Sequence, residues 1–249
     1  MKKIILGLMI LSMSLFAEKI TVFAAADLRF ALDEVKAKFL KEHPKDEVET
    51  IYGSSGKGMH QIENGAPYDI YFSANEAFVE DLYKGGFVTT EPKLYAKGRI
   101  VIWSKNPNFD PKKGFDNMKE PWVKKIAIAN PSHAPYGEKA KQAMQSIGIY
   151  KEVESKLVLG ENISQTTQFI QSGAADIGVI AYSLALAPTI AKSEHPNFHL
   201  IDGNLHQPLL QGYGITKVGA NKPLTKEFYN FMDTKEAQTI MQSYGFVVN

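Results

Sequence analysis

Four short stretches hold most of the residues in this sequence that can do chemistry: Ser54-Ser55, Ser73-Ala74-Asn75, Asn130–Gly137 and Glu161–Ser164. Each is small or polar, follows a β-prone run and precedes residues at helical spacing. Ala24-Ala25-Ala26-Asp27 has the same setting after Ile20, Val22 and Phe23. The start of a helix leaves backbone N–H groups without intrahelical partners and carries the positive end of the helix dipole. The chemistry these stretches share is therefore capture of an anion. Gly53 and Gly56 allow close backbone approach around Ser54-Ser55. In Asn130–Gly137, Pro131 and Pro135 fix the backbone, so Tyr136 and Gly137 fall near a first helical turn. Ile163 has only its backbone to offer. Ordinary turns and helix caps use the same residue types, Asn75 included. The signal is their repetition.

Catalytic readings of these residues fail on spacing. Ser54-x-x-Lys57 with Ser73-x-Asn75 has the form of a serine acyl-transfer site, but the nearest third box, Lys84-Gly85-Gly86, lies too close. The run Gly53–Gly58 is too short for a phosphate-binding P-loop, and Gly58 stands where a magnesium-binding hydroxyl is needed. The histidines (His43, His60, His133, His195, His199, His206) show no ligand spacing beyond His195 and His199, which flank Pro196 in a surface loop. The sequence has no cysteine, which excludes disulfides, thiolate metal sites, thiol nucleophiles and a lipid-bearing cysteine. No catalytic residue, resident metal or cofactor is implied. A serine-type hydrolase using Ser54 and Lys57 remains a distant alternative.

The elements that would position these stretches alternate. In the first half, strand, turn and helix recur three times: Ile20–Phe23 with a helix from Leu28; Val48–Tyr52 with a helix over Met59–Asn64; Asp69–Ser73 with a helix over Glu76–Lys84. Asp27 occupies an N-cap position ahead of Ala31, Leu32, Val35 and Phe39. A second series follows strand Arg99–Ser104 and the loop Asn106–Lys113. It comprises strand Ile126–Ala129, helix Tyr136–Ile147, strand Leu157–Leu159, helix Ser164–Ser172 and strand Ile177–Ala181. Strands Phe198–Ile201 and Gly212–Thr216 and helices Lys222–Met232 and Lys235–Tyr244 close the chain. This pattern predicts α/β architecture with mostly parallel sheets and helices on their faces. It divides into lobe 1 (18–98 and 205–249) and lobe 2 (99–204), whose strand ends, where ligands bind, share one cleft.

Lys2 and Lys3 precede an apolar run from Ile4 to Phe16 and then Ala17, the layout of a secretory signal peptide over residues 1–17. Its removal takes two lysines and no acids, moving the net charge from +1 to −1. Such a surface has no basic field to attract nucleic acid. The expected product is a soluble, exported, periplasmic protein that binds its anion by local dipoles.

The sequence as a whole resembles the periplasmic molybdate-binding proteins of ABC transporters. ITVFAAADL, YGSSGKGMHQIENGAPYDIYFSANE, IANPSHAPYGEKAKQAM, GENISQTTQFIQSGAADIGVIAYS and AQTIMQSYGF carry the resemblance, in order, over Glu18–Asn249. It implies a type II two-lobed binding-protein fold, a monomer that holds molybdate or tungstate in the interlobe cleft and delivers it to a membrane permease. The metal would be bound only as its oxyanion. The resemblance places ligand contacts on Asp27 (backbone N–H), Ser55, Ala74, Tyr136 and Ile163. Two positions depart from the family. Asp27 stands where many members have a serine or threonine, and an ionised carboxylate cannot donate. Its side chain is expected to cap its own helix, turned away and paired with Arg29 or Lys57, one of which would supply supporting charge. Ala181 stands where some members place a tyrosine, and the neighbouring Tyr182 is given no role, because one residue of offset changes the face. Binding of sulfate, phosphate or ferric iron is the alternative in the same class. The sequence does not decide between molybdate and tungstate.

Overall fold

The computed structural model describes residues 17–248, so all but the last residue of the expected signal peptide lies outside it. Strand β1 (Lys19–Ala25) buries its apolar residues and runs through a 3₁₀ turn, Ala26–Leu28, into α1 (Arg29–Glu42). The buried stripe of α1 is Ala31, Leu32, Val35 and Phe39, as an amphipathic helix requires. The first series continues with β2 (Glu47–Gly53), α2 (Ser55–Glu63), β3 (Ile70–Ser73), α3 (Glu76–Lys84) and β4 (Lys93–Gly98). After Arg99 the chain enters β5 (Ile100–Trp103), β6 (Ile126–Ala129), α4 (Pro135–Ser146), the single turn α5 (Tyr150–Val153) and β7 (Leu157–Gly160). Next come α6 (Ile163–Ser172), β8 (Ile177–Ala181), the short α7 (Tyr182–Ala185) and α8 (Pro188–Ala191), and β9 (Phe198–Leu200). Strand β10 (Leu209–Ile215) and helices α9 (Pro223–Phe231) and α10 (Lys235–Ser243) follow. Among the described residues no helix is long and apolar enough to cross a membrane.

Two five-stranded sheets form, ordered β2-β1-β3-β10-β4 and β7-β6-β8-β5-β9. In the first, β1 pairs in parallel with β2 and β3, while β10 runs antiparallel to β3 and β4. The second repeats this plan: β6 is parallel to β7 and β8, and β5 is antiparallel to β8 and β9. The fold is thus α/β and two-lobed, each sheet mixed and flanked by helices, and the parallel expectation applies to three strands of each five. The antiparallel halves hold the crossings between sheets. Strand β4 leads into β5 through Arg99 alone, and β10 returns the chain to the first sheet. Strand β4 lacks a clear period in the sequence, which is why it was not read there.

Helix α2 starts four residues earlier than its sequence predicts, because Gly56 and Gly58 have low helix propensity. Tertiary packing decides otherwise. A Cβ at Gly58 would stand 2.2 Å from Phe23 Cε1, and one at Gly56 would stand 2.8 Å from the His133 carbonyl oxygen. Gly58 lets α2 lie directly on β1, and Gly56 lets its first turn, with Ser55, approach the His133 backbone. Gly58→Ala is expected to lower stability by about 1–3 kcal/mol, as overpacking of a filled site does. Urea denaturation reads this, and Phe23→Leu in the same chain should return part of the loss. An unchanged midpoint for Gly58→Ala would contradict this packing.

Candidate functional site

The C-terminal ends of the parallel strands of both sheets face each other. Between them is a small pocket with ≈ 190 Å³ of open space, lined by Ala25, Ala26 and Asp27 after β1 and by Gly53, Ser54 and Ser55 after β2. Ala74 after β3, Ala134–Tyr136 at the start of α4 and Ile163 at the start of α6 complete it. Asp27, Ser55, Ala74, Tyr136 and Ile163, singled out in the sequence, therefore meet in one place. A larger hollow, with ≈ 1340 Å³ of open space, beside Lys97, Arg99 and Asp202 has no helix of two turns or more opening into it.

Among the described residues, no other residue accepts the N–H of Asp27, Ser55, Tyr136 or Ile163, and that of Asp27 faces its own carboxylate. These are the orphan donors of first helical turns. Ala74 differs, because its N–H donates to Ser55 Oγ at 2.9 Å. That bond uses the acceptor side of the hydroxyl and leaves the Ser55 O–H free to donate. Gly137 donates to the Ala134 carbonyl and has nothing left for the pocket. Asn75 caps α3 by accepting from Ala77 N–H, and Asn162 caps α6 by accepting from Gln165 N–H. The caps account for both asparagines.

Asp27 departs from its expected role. It lies in the 3₁₀ turn, only 1% exposed, and caps no helix. Its Oδ2 accepts from Tyr136 Oη at 2.9 Å and from Gln211 Nε2 at 3.0 Å, and the same Gln211 nitrogen lies 3.0 Å from Tyr136 Oη. These two neutral donors come from α4 and β10, and they hold the carboxylate where a cap could not reach it. Arg29 and Lys57 are both exposed and outside the pocket. Lys57 pairs instead with Glu161 at 2.5 Å. The expected supporting charge is absent from both. Burial pushes the Asp27 acid up to about 6, against which the Gln211 and Tyr136 bonds and its own backbone N–H act only in part. Burial first, and then the Asp27 charge, hold the Tyr136 hydroxyl protonated well above its ordinary range.

The triangle also requires Gly98: a Cβ there would stand 2.5 Å from Tyr136 Oη and 2.6 Å from Gln211 Nε2. Gln211 was missed in the sequence. Its signal was a wholly buried amide inside the apolar run LLQGYGI, a polar group that needs partners.

Around the pocket the two sheets are hydrogen-bonded to each other. Gly56 N–H donates to the His133 carbonyl at 2.9 Å, and Ser54 Oγ lies 2.9 Å from His133 Nδ1. Ser164 Oγ donates to Ala26 O at 2.9 Å and Ser183 Oγ to Asp27 O at 2.8 Å. Burial lowers the His133 pKa below its ordinary 6.5, so the imidazole is neutral at pH 7. His133 Nε2 is 3.8 Å from Glu161 Oε2, too long for a hydrogen bond. Ser54 and Gly56 with His133 therefore form an interlobe clasp. Ser54 is 4% exposed and spends its hydroxyl on His133, while Lys57 faces Glu161, which leaves the Ser54/Lys57 hydrolase without a nucleophile–base pair. Tyr182 lies under the Arg99 guanidinium, 4.5 Å from its ring centre, and outside the pocket. No cluster of three or more metal-ligating side chains occurs among the described residues.

Residues 20–247 match the family model of bacterial extracellular solute-binding proteins. The chain is 32% identical over 232 residues to the molybdate-binding protein ModA of Rhodobacter capsulatus, covering 93% of this chain and 89% of that protein. It is 30% identical to ModA of Azotobacter vinelandii, covering 97% and 94%. The solved periplasmic molybdate-binding protein of Azotobacter vinelandii superimposes with a TM-score of 0.85 at 29% identity, over 92% of this chain and 99% of that one. The chain belongs to the bacterial extracellular solute-binding protein family.

A buried acid with a raised pKa stabilises the fold while it is neutral. Below the ordinary value of 3.8 that contribution is whole, and it is lost as pH rises through about 6. Asp27 should therefore withdraw on the order of 3 kcal/mol from the unliganded protein between about pH 4 and pH 6. Urea denaturation across this range should show Asp27→Asn lacking that part of the slope. Equal slopes in the two proteins would contradict the buried, unpaired carboxylate.

Proposed function

We propose that this member of the solute-binding family holds molybdate, and tungstate with it, in the pocket between its lobes and delivers the anion to a membrane ABC permease. The observation that carries this reading is the meeting of unpaired first-turn N–H groups from both sheets around one small, buried space. A dianion stripped of water needs many short donors, since an unpaired buried charge is very costly. Asp27, Ser55, Tyr136 and Ile163 offer N–H groups, and Ser55 adds its hydroxyl. Ala74 either keeps the Ser55 hydroxyl aimed or shares its N–H with the anion. The names of the relatives and of the solved neighbour, each a molybdate-binding protein, support the choice of ligand.

The donors come from lobe 1 (18–98 and 205–249) and lobe 2 (99–204), so closure and binding are one event: an open form offers only part of the set. Selection against sulfate follows from size. Sulfate has the same charge and shape but shorter bonds, and donors fixed in helix starts cannot follow it inward. The role is binding and not catalysis. It suits an exported periplasmic monomer, with residues 1–17 as its signal peptide and no nucleic acid as partner. One observation favours a second reading: the Asp27 carboxylate could accept from a protonated oxyanion such as hydrogen phosphate.

Calorimetric titration of the mature chain tests both. Molybdate and tungstate should bind one to one and tightly, while sulfate and phosphate give no heat. Phosphate binding instead would establish the second reading, and silence with all four would refute both. Ser55→Ala should weaken molybdate binding about 10- to 100-fold, the worth of one hydrogen bond to a charged group. Full affinity in that variant would remove Ser55 from the ligand shell.

A further inference from the structure

We infer that the anion enters this pocket together with one proton, carried on Asp27 Oδ1, so that Asp27 meets the ligand as a neutral acid that donates a hydrogen bond. The inference rests on the proposed oxyanion function and adds the protonation state in which the site works. Asp27 lines the pocket and is 1% exposed. Its two oxygens are unequal. Oδ2 takes both neighbouring donors, Tyr136 Oη and Gln211 Nε2, while Oδ1 is buried with no partner. A fully buried carboxylate oxygen with nothing to accept from is an uncompensated charge unless it carries a proton itself.

The surroundings supply no compensating cation. On its own turn, Arg29 is exposed. Strand β4 contributes Tyr95 and α4 contributes Tyr136, both held protonated by burial. Strand β10 contributes the neutral Gln211, and Ser183 of α7 donates only to the Asp27 backbone carbonyl. From α2 and the facing loops, Lys57 is bound to Glu161 and His133 to Ser54. Arg99 donates to the Gly245 carbonyl and lies over Tyr182. Burial already raises the Asp27 acid to about 6 against the pull of its hydrogen bonds, and a dianion beside it acts in the same direction, since like charge disfavours ionisation. The proton comes from solvent and no covalent bond of the ligand changes. The O–H so formed replaces the hydroxyl donor that a serine at this position would provide.

Calorimetry of sodium molybdate at pH 7.5, in buffers that differ in ionisation enthalpy, counts the protons. About one proton should be taken up per molybdate bound, and the Kd should rise about tenfold per pH unit from pH 7 to 8.5. Asp27→Asn, which keeps a donor but cannot titrate, should bind with no proton uptake, with a Kd independent of pH, and more tightly than the wild type at pH 8.5. Molybdate binding by the wild type with no proton uptake and a flat Kd overturns the inference and leaves the function standing. Proton uptake that persists in Asp27→Asn overturns it too. Absence of any molybdate heat removes the function, and the inference with it. The wild-type measurement decides even if the variant does not fold.

Discussion

A small anion can be buried only where the protein has donors to spare, and the starts of helices concentrate spare backbone donors. The rest of this structure is arranged around that constraint. Each sheet ends its parallel strands in short turns that open helices, and the two sheets face each other so that Asp27, Ser55, Tyr136 and Ile163 surround one space. The caps on α3 and α6 come from Asn75 and Asn162, away from the pocket N–H groups. Charge is kept at a distance as well. Lys57 and Arg29 stay outside, and the single ionisable acid inside is set against a phenol and an amide. Recognition thereby falls to fixed dipoles, which are sensitive to the size of what they surround.

Those dipoles are useful only if they are held at close quarters, and the glycines around the site allow that. Gly56 lets α2 reach the His133 carbonyl, Gly58 lets it rest on Phe23, and Gly98 leaves room for the Asp27–Tyr136–Gln211 triangle. The bonds of Gly56, Ser54, Ser164, Ser183 and Tyr136 all cross between the sheets. The exposed Lys57–Glu161 pair crosses too, but such pairs contribute little. The contact between the lobes rests chiefly on short bonds among buried and half-buried groups beside the pocket.

Much of this was legible in the sequence. The alternation of strand and helix, the helix starts close to Tyr136 and Ser164, and the two-lobed division of strands follow from local periodicity and turn chemistry, which act over a few residues. What was not legible depends on contacts far apart in the chain. Asp27 reads as a helix cap because its neighbours suggest one, yet its partners lie at positions 136 and 211. Helix α2 reads as starting at Met59 because Gly56 and Gly58 disfavour helix, yet each glycine is set by a close approach to a distant residue. His133 shows no ligand spacing in the sequence, yet it is the hub of the interlobe clasp. The pairing of Lys57 with Glu161 likewise joins residues far apart in the chain.

The central claim is that one anion is held by helix starts of both lobes at once. The most direct test is a crystal structure of the mature chain grown with molybdate, with the metal located by its anomalous scattering. The account predicts a single strong peak between Ser55, Asp27, Tyr136 and Ile163, with ligand oxygens at hydrogen-bond distance from N–H groups of both sheets. A peak in another hollow, or an anion touched by one lobe only, would contradict it.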